Sequence, residues 1–91
     1  MNPTLHVRIV TPQQLLLDTQ ALSVSSKNTA GPFDILPQHA NFITLVENYP
    51  IQIVRVNQKP LIFNFSLAII STGNNKINIY TNIQEGLENK I

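Results

Sequence analysis

Alternation of apolar and polar residues with a period of two runs through most of this 91-residue chain. Successive side chains of a strand point to opposite faces, so such alternation is what a half-buried strand requires. Leu5, Val7 and Ile9 alternate with His6 and Arg8, and Leu22 and Val24 with Ser23 and Ser25. Ile51 and Ile53 flank Gln52, and Val54 and Val56 flank Arg55. Leu61, Phe63, Phe65 and Leu67 face one way, with Asn64 and Ser66 opposite. Ile77 and Ile79 alternate with Lys76, Asn78 and Tyr80. β-branched and aromatic residues fill these runs, as a pleated surface favours.

Turn signals separate the runs at short spacing. Thr11-Pro12 ends the first, because proline cannot donate to a central ladder. Lys27 to Pro32 reads as a loop, Pro37-Gln38-His39-Ala40 as a second break and Asn48-Tyr49-Pro50 as a third. Asn57-Gln58-Lys59-Pro60 and Thr72-Gly73-Asn74-Asn75 read as hairpin loops, the latter with three residues suited to positive φ. Strands are expected near 4–10, 14–18, 20–27, 33–36, 41–47, 51–56, 61–65, 67–71 and 76–81. Many short strands at this spacing predict an all-β sandwich or barrel. The domain is expected over residues 1–82, with a short tail at 83–91. One turn of helix is conceivable in that tail, but Gly86 and its length argue for fraying.

Composition narrows what such a domain can do. Charged residues make up 12% of the chain and the net charge is +1. The basic residues Arg8, Lys27, Arg55, Lys59, Lys76 and Lys90 are scattered, with no stripe to track phosphates, so nucleic acid is not an expected partner. Cysteine is absent, which excludes disulfides, zinc–thiolate clusters and a cysteine nucleophile. The fold must stand on its core, and 12 Ile, 10 Leu, 6 Val and 4 Phe suffice for one. No stretch approaches the ~20 apolar residues needed to span a bilayer, so no direct membrane insertion is expected.

Little in the chain suggests catalysis. His6 points outward on the first strand and reads as a solvated residue. His39 follows Pro37 in a break, and three roles remain open: acid–base chemistry, loop-structuring hydrogen bonds or contact with a partner. Asp18 and Asp34 could be imagined as paired carboxylates, but aspartates at turns and strand ends usually bond neighbouring backbone. Gly31, Gly73 and Gly86 are not grouped as a phosphate-binding loop would need. Phe33, Phe42, Phe63 and Phe65 read as core packing, because no basic groove accompanies them for base stacking. No catalytic, cofactor-binding or metal site is expected, and no small-molecule substrate.

One segment adds what composition does not. The run Gly31-Pro32-Phe33-Asp34-Ile35-Leu36-Pro37-Gln38-His39-Ala40-Asn41-Phe42-Ile43-Thr44 resembles the signature of the epsilon subunit of F-type ATP synthases. Gly31, Ile35, Leu36, Pro37, His39, Ala40 and Thr44 match that signature at the right spacing. Val10-Thr11-Pro12 with Leu16 and Asp18 is similar to the family's opening strand and turn, and Gly73-Asn74-Asn75-Lys76-Ile77 to its late hairpin. Pro32, Asp34 and Asn41 depart from the pattern, standing where the family has a polar or acidic residue, a glycine and a proline.

The resemblance implies a flattened β-sandwich of about ten strands at the foot of a rotating central stalk. It implies a non-catalytic subunit that couples the gamma subunit to the membrane c-ring in proton- or sodium-driven ATP synthesis, with no cofactor. By the same resemblance, Gly31, Pro32, Phe33 and Asp34 would meet the c-ring. Thr11, His39 and Thr44 would meet gamma. Family members usually continue into a two-helix domain that carries inhibition and, in some, ATP binding. The sequence stops at Ile91, where that domain would begin, so neither property is expected. The implied location is the cytoplasmic face of a bacterial inner membrane, or alternatively the plastid stroma at the thylakoid. The rival expectation is a stand-alone β-sandwich protein-binding module derived from the same domain, with a small enzyme third.

Overall fold

A computed structural model describes residues 3–82. Seven strands follow one another: β1 (Leu5–Val10), β2 (Leu15–Ala21), β3 (Ser23–Asn28), β4 (Gly31–Ile35), β5 (Phe42–Val54), β6 (Leu61–Gly73) and β7 (Lys76–Tyr80). They hydrogen-bond in the order β2-β1-β7-β6-β5-β3-β4. All neighbours are antiparallel except β1 and β7, which run parallel. The expected tail at 83–91 lies outside the described residues.

Two of the expected breaks are bends within long strands. The segments near 41–47 and 51–56 form the single strand β5, and those near 61–65 and 67–71 form β6. Their pairing is continuous in register from Phe42↔Thr72 to Ile53↔Leu61. The buried face nevertheless changes parity midway. Val46 is buried in the first half of β5 and Ile51 and Ile53 in the second, with residues 47–50 all exposed. β6 does the same, from Phe63 and Phe65 to Ala68, Ile70 and Thr72. Asn48 sits at φ 50, and this left-handed residue turns the inward face over without ending the strand. Pro50 is tolerated because β3 pairs with β5 only around Gln52, Ile53 and Val54, so no partner awaits an N–H at position 50.

The bend turns one sheet into two layers. β2, β1, β7 and the adjoining halves of β6 and β5 form the first; the other halves of β5 and β6 with β3 and β4 form the second. Between β2 and β3 the chain crosses layers at Leu22, whose N–H bonds to the Val54 carbonyl at 2.7 Å. The parity of burial switches there too, from Ala21 to Val24. Leu5, Val7, Ile9, Ile77 and Ile79 from the first layer share one core with Val24, Ile35, Ile51 and Ile53 from the second. Phe63 and Phe65 stack with ring centroids 5.8 Å apart in that core.

The hairpin turns follow local chemistry. Asn74 and Asn75 both adopt positive φ, at 53 and 60, between the paired Gly73 and Lys76, as a two-residue turn of this hand requires. The expected long loop from Lys27 shrinks to Thr29 and Ala30, because Asn28 and Gly31 already pair. Gly31 takes φ 123, a region open to glycine alone. Pro32 lies on β4, an edge strand, where its missing N–H costs no ladder bond.

Candidate functional site

The register lays the side chains of the first layer's outer face into rows. One row crosses five strands: Leu45 pairs with Ile69, Ile69 with Tyr80, Tyr80 with Val10 and Val10 with Leu15. Four of these apolar residues are 41–51% exposed, and Val10 is half-buried. A bulge at Leu16 brings Leu15 onto this face, since the β1–β2 register shifts between Ile9 and Val10. Leu67, 44% exposed, stands beside the row at the bend. Val10, Thr11, Pro12, Leu67, Ile69 and Tyr80 are among the residues lining a groove of about 520 Å³ there.

The next row on the same face is polar except at its end. It runs Ile43, Ser71, Asn78, Arg8 and Asp18. Asp18 accepts from the His6 imidazole Nε2 and lies 3.9 Å from Arg8 Nε. His6 thus points outward as the alternation implied, with a carboxylate partner. All three groups are substantially exposed, which makes them a weak surface network.

The sequence-expected contact residues fall at four places in the fold. In β4, Pro32 and Asp34 are exposed while Gly31 and Phe33 are half-buried. Phe33 packs edge-on against Phe42 at 5.4 Å and so belongs to the core margin. The Asp34 carboxylate accepts from Ser25 Oγ at 2.5 Å, far in sequence and topology from Asp18. Thr11 is only 4% exposed. Its hydroxyl accepts from the Gln13 and Gln14 N–H groups at 3.2 and 3.1 Å, which holds the turn into β2.

His39 closes the turn after Leu36. Pro37 at its second position and Gln38 at φ 69 at its third, with a 3.1 Å bond from His39 N–H to the Leu36 carbonyl, follow a type II pattern. Asn75 Oδ1 accepts the Gln38 N–H at 2.5 Å and ties this turn to the β6–β7 hairpin. His39 Nδ1 bonds the Ala40 carbonyl at 2.8 Å, so Nδ1 carries the proton. In the neutral ring this leaves Nε2 as the acceptor, and the ring centroid lies 5.5 Å from that of Phe42. His39 and Thr11 lie toward opposite ends of β1. The first follows Gln38, which is tied to Asn75 beside His6, and the second follows Val10, a separation of about 16 Å along a strand. Thr44, half-buried on β5, receives a hydrogen bond from Asn28 Nδ2 at 2.9 Å.

Among the described residues, no three His, Cys, Asp or Glu side chains stand together as metal ligands. The surface that sequence reasoning missed is the apolar row. Its trace in the sequence is the loss of alternation at Leu67-Ala68-Ile69-Ile70, a run apolar on both faces of its strand.

Comparison with known proteins agrees with this architecture. Residues 4–86 match the family model described as the ATP synthase delta/epsilon chain, β-sandwich domain. ATP synthase epsilon chain 2 of Paraburkholderia xenovorans (strain LB400) is 43% identical over 47 residues, covering 50% of this chain and 34% of that one. Among solved structures, a chain of the Euglena gracilis mitochondrial ATP synthase (OSCP/F1/c-ring, rotational state 1) superposes with a TM-score of 0.80 at 10% identity. It matches 88% of this chain and 51% of its own length. A chain of the Tetrahymena thermophila mitochondrial ATP synthase central stalk and c-ring gives 0.69 at 15% identity, over 84% and 61%. The chain thus spans about a third of the curated relative and between half and two thirds of the structural neighbours. With the family model covering nearly all of it, and a bent seven-stranded sandwich beneath that match, this chain belongs to the delta/epsilon β-sandwich family of ATP synthase.

Proposed function

We propose that the chain is an epsilon-type central-stalk subunit, joining gamma to the c-ring of an F-type ATP synthase and catalysing nothing itself. The observation that carries the reading is the apolar row. Five strands that already bury one face in the core present a second contiguous apolar surface outward. Soluble monomers rarely leave such a patch uncovered, and large ones mark protein contacts. Gamma is the occupant we assign to it. Thr11 supports this assignment by shaping the groove at the β1 end of the row, its hydroxyl being spent on the turn. His39 would offer gamma an acceptor through Nε2, whereas Thr44, next to Leu45 in β5 but of opposite parity, would act from the other face through its bond with Asn28.

The β3–β4 hairpin would meet the c-ring. Pro32 and Asp34 are its exposed residues in β4, with Gly31 setting the tip and Phe33 anchoring it on Phe42. The complex would sit at the cytoplasmic face of a bacterial inner membrane, a placement supported by the bacterial relative. The test is reconstitution of the purified chain with purified gamma. A one-to-one complex by size exclusion with light scattering, lost in Ile69→Asp, is expected. Failure of the folded wild-type chain to bind gamma sinks the proposal.

A further inference from the structure

The β3–β4 hairpin overhangs the rest of the second layer. β3 pairs with β5 only at Ser23, Val24 and Ser25, and β4 pairs with β3 alone. Beyond Ser25 the backbone pairing of β3 with β5 ends. Side chains hold this distal stretch instead. Ser26 Oγ donates to the Pro50 carbonyl at 3.0 Å, and the Lys27 ammonium lies 5.2 Å from the centre of the Tyr49 ring.

Asn28 makes the tie nearest the tip, and it works in two directions. Its Oδ1 accepts the Ala30 N–H at 2.9 Å, which fixes the turn. Its Nδ2 donates to Thr44 Oγ1 at 2.9 Å, which fixes the turn to β5. A short amide supplies an acceptor and a donor at once, where a hydroxyl at this position lacks the reach to do both. Asn28 itself is half-buried and lies outside the contact residues assigned above.

We infer that Asn28 is a positioning residue, coupling the hairpin tip that meets the c-ring to the strand that meets gamma. The inference rests on the proposed function. Without the Asn28–Thr44 bond the turn beyond Ser26 and Lys27 loses its own tie to β5, and the tip moves relative to that strand. Occupation of one surface then no longer preorganises the other.

The test measures affinity for purified c-ring in detergent micelles, with and without saturating gamma. It uses the wild-type chain, Asn28→Ser and Asn28→Asp. Serine retains an acceptor for the Ala30 N–H but does not reach Thr44. Aspartate retains that acceptor and accepts a hydrogen bond from the Thr44 hydroxyl, so it restores the tie. Direct contact between gamma and the c-ring contributes equally to all three chains and cancels in the comparison. Asn28→Ser is expected to reduce the enhancement by gamma about five-fold or more, the scale of an ordinary coupling between sites. Its affinity for gamma alone should change by less than about two-fold, and Asn28→Asp should recover the enhancement.

An unchanged enhancement in Asn28→Ser overturns the inference while leaving the proposed function standing. So does a collapse of the melting temperature that accompanies the loss, because that marks a purely structural residue. If the wild-type chain binds neither gamma nor the c-ring, the proposed function falls first and the inference with it.

Discussion

Two rows of the same sheet face lie two residues apart along four strands, and three apart in β2 because of its bulge, yet they have different character. The row through Tyr80 is apolar across all five strands, while the row through Asn78 is held by Arg8, Asp18 and Ser71. Both are paired across the same five strands, and both rest on the same buried residues beneath. Fold stability therefore does not explain the difference, because the core already has its apolar face in Val7, Ile9, Ile70, Ile77 and Ile79. The contrast separates residues that hold the sandwich together from residues the sandwich presents.

The comparison can be broken most directly from the inner face. Ile70 is fully buried beside exposed Ile69. Ile70→Ala should cost about 2–5 kcal/mol in urea denaturation through lost burial and a residual cavity. The molecules that remain folded should bind gamma with wild-type affinity. A smaller effect comes from the apolar row. Tyr80→Ala should weaken gamma by about 2 kcal/mol, as for an aromatic anchor within an interface. Its folding stability should shift by no more than about 1 kcal/mol. If the two readouts exchange magnitudes, the row is a stabilising part of the fold and the separation collapses.

The polar row supplies the control. Asp18→Asn removes the partner of His6 and Arg8. Denaturation should register less than about 1 kcal/mol, because exposed ion pairs contribute little. Gamma binding by calorimetry should not change. A marked loss of affinity would shift the contact from the apolar row to the polar one. Salt sharpens the contrast with the smallest expected effect. Raising sodium chloride from about 0.1 M to about 1 M should move gamma affinity by less than about two-fold, since screening acts on charges and not on apolar contact. A steep fall with salt would assign the binding energy to the Arg8 and Asp18 neighbourhood.

Much of the architecture was legible in the residues. Leu5, Val7 and Ile9, or Ile77 and Ile79, declare a buried face by alternation alone, because side-chain direction in a strand is set by parity. Asn74 and Asn75 declare a tight turn because few other residues accept positive φ. The breaks expected at Asn48-Tyr49-Pro50 and after Phe65 were misread, since a parity switch looks the same whether the chain ends a strand or bends it. Only the paired strand tells the two apart: Glu47 still faces Leu67 and Tyr49 still faces Phe65. The motif between Gly31 and Thr44 marked a family, but its residues dispersed over a hairpin, a turn and a strand, with Thr11 at the far end of β1.

What the sequence determined by itself was an all-β chain with no disulfide, one core and turns at the places where asparagine, glycine and proline are tolerated. These properties are local, fixed by parity, by φ and by composition. The apolar row and the Asn28–Thr44 tie were decided only by the tertiary structure. Leu45, Ile69, Tyr80, Val10 and Leu15 are scattered through the chain, and each is an unremarkable apolar residue in its own strand. They become one surface because register sets them side by side across five strands, and register is a property of pairs of strands that no single segment carries.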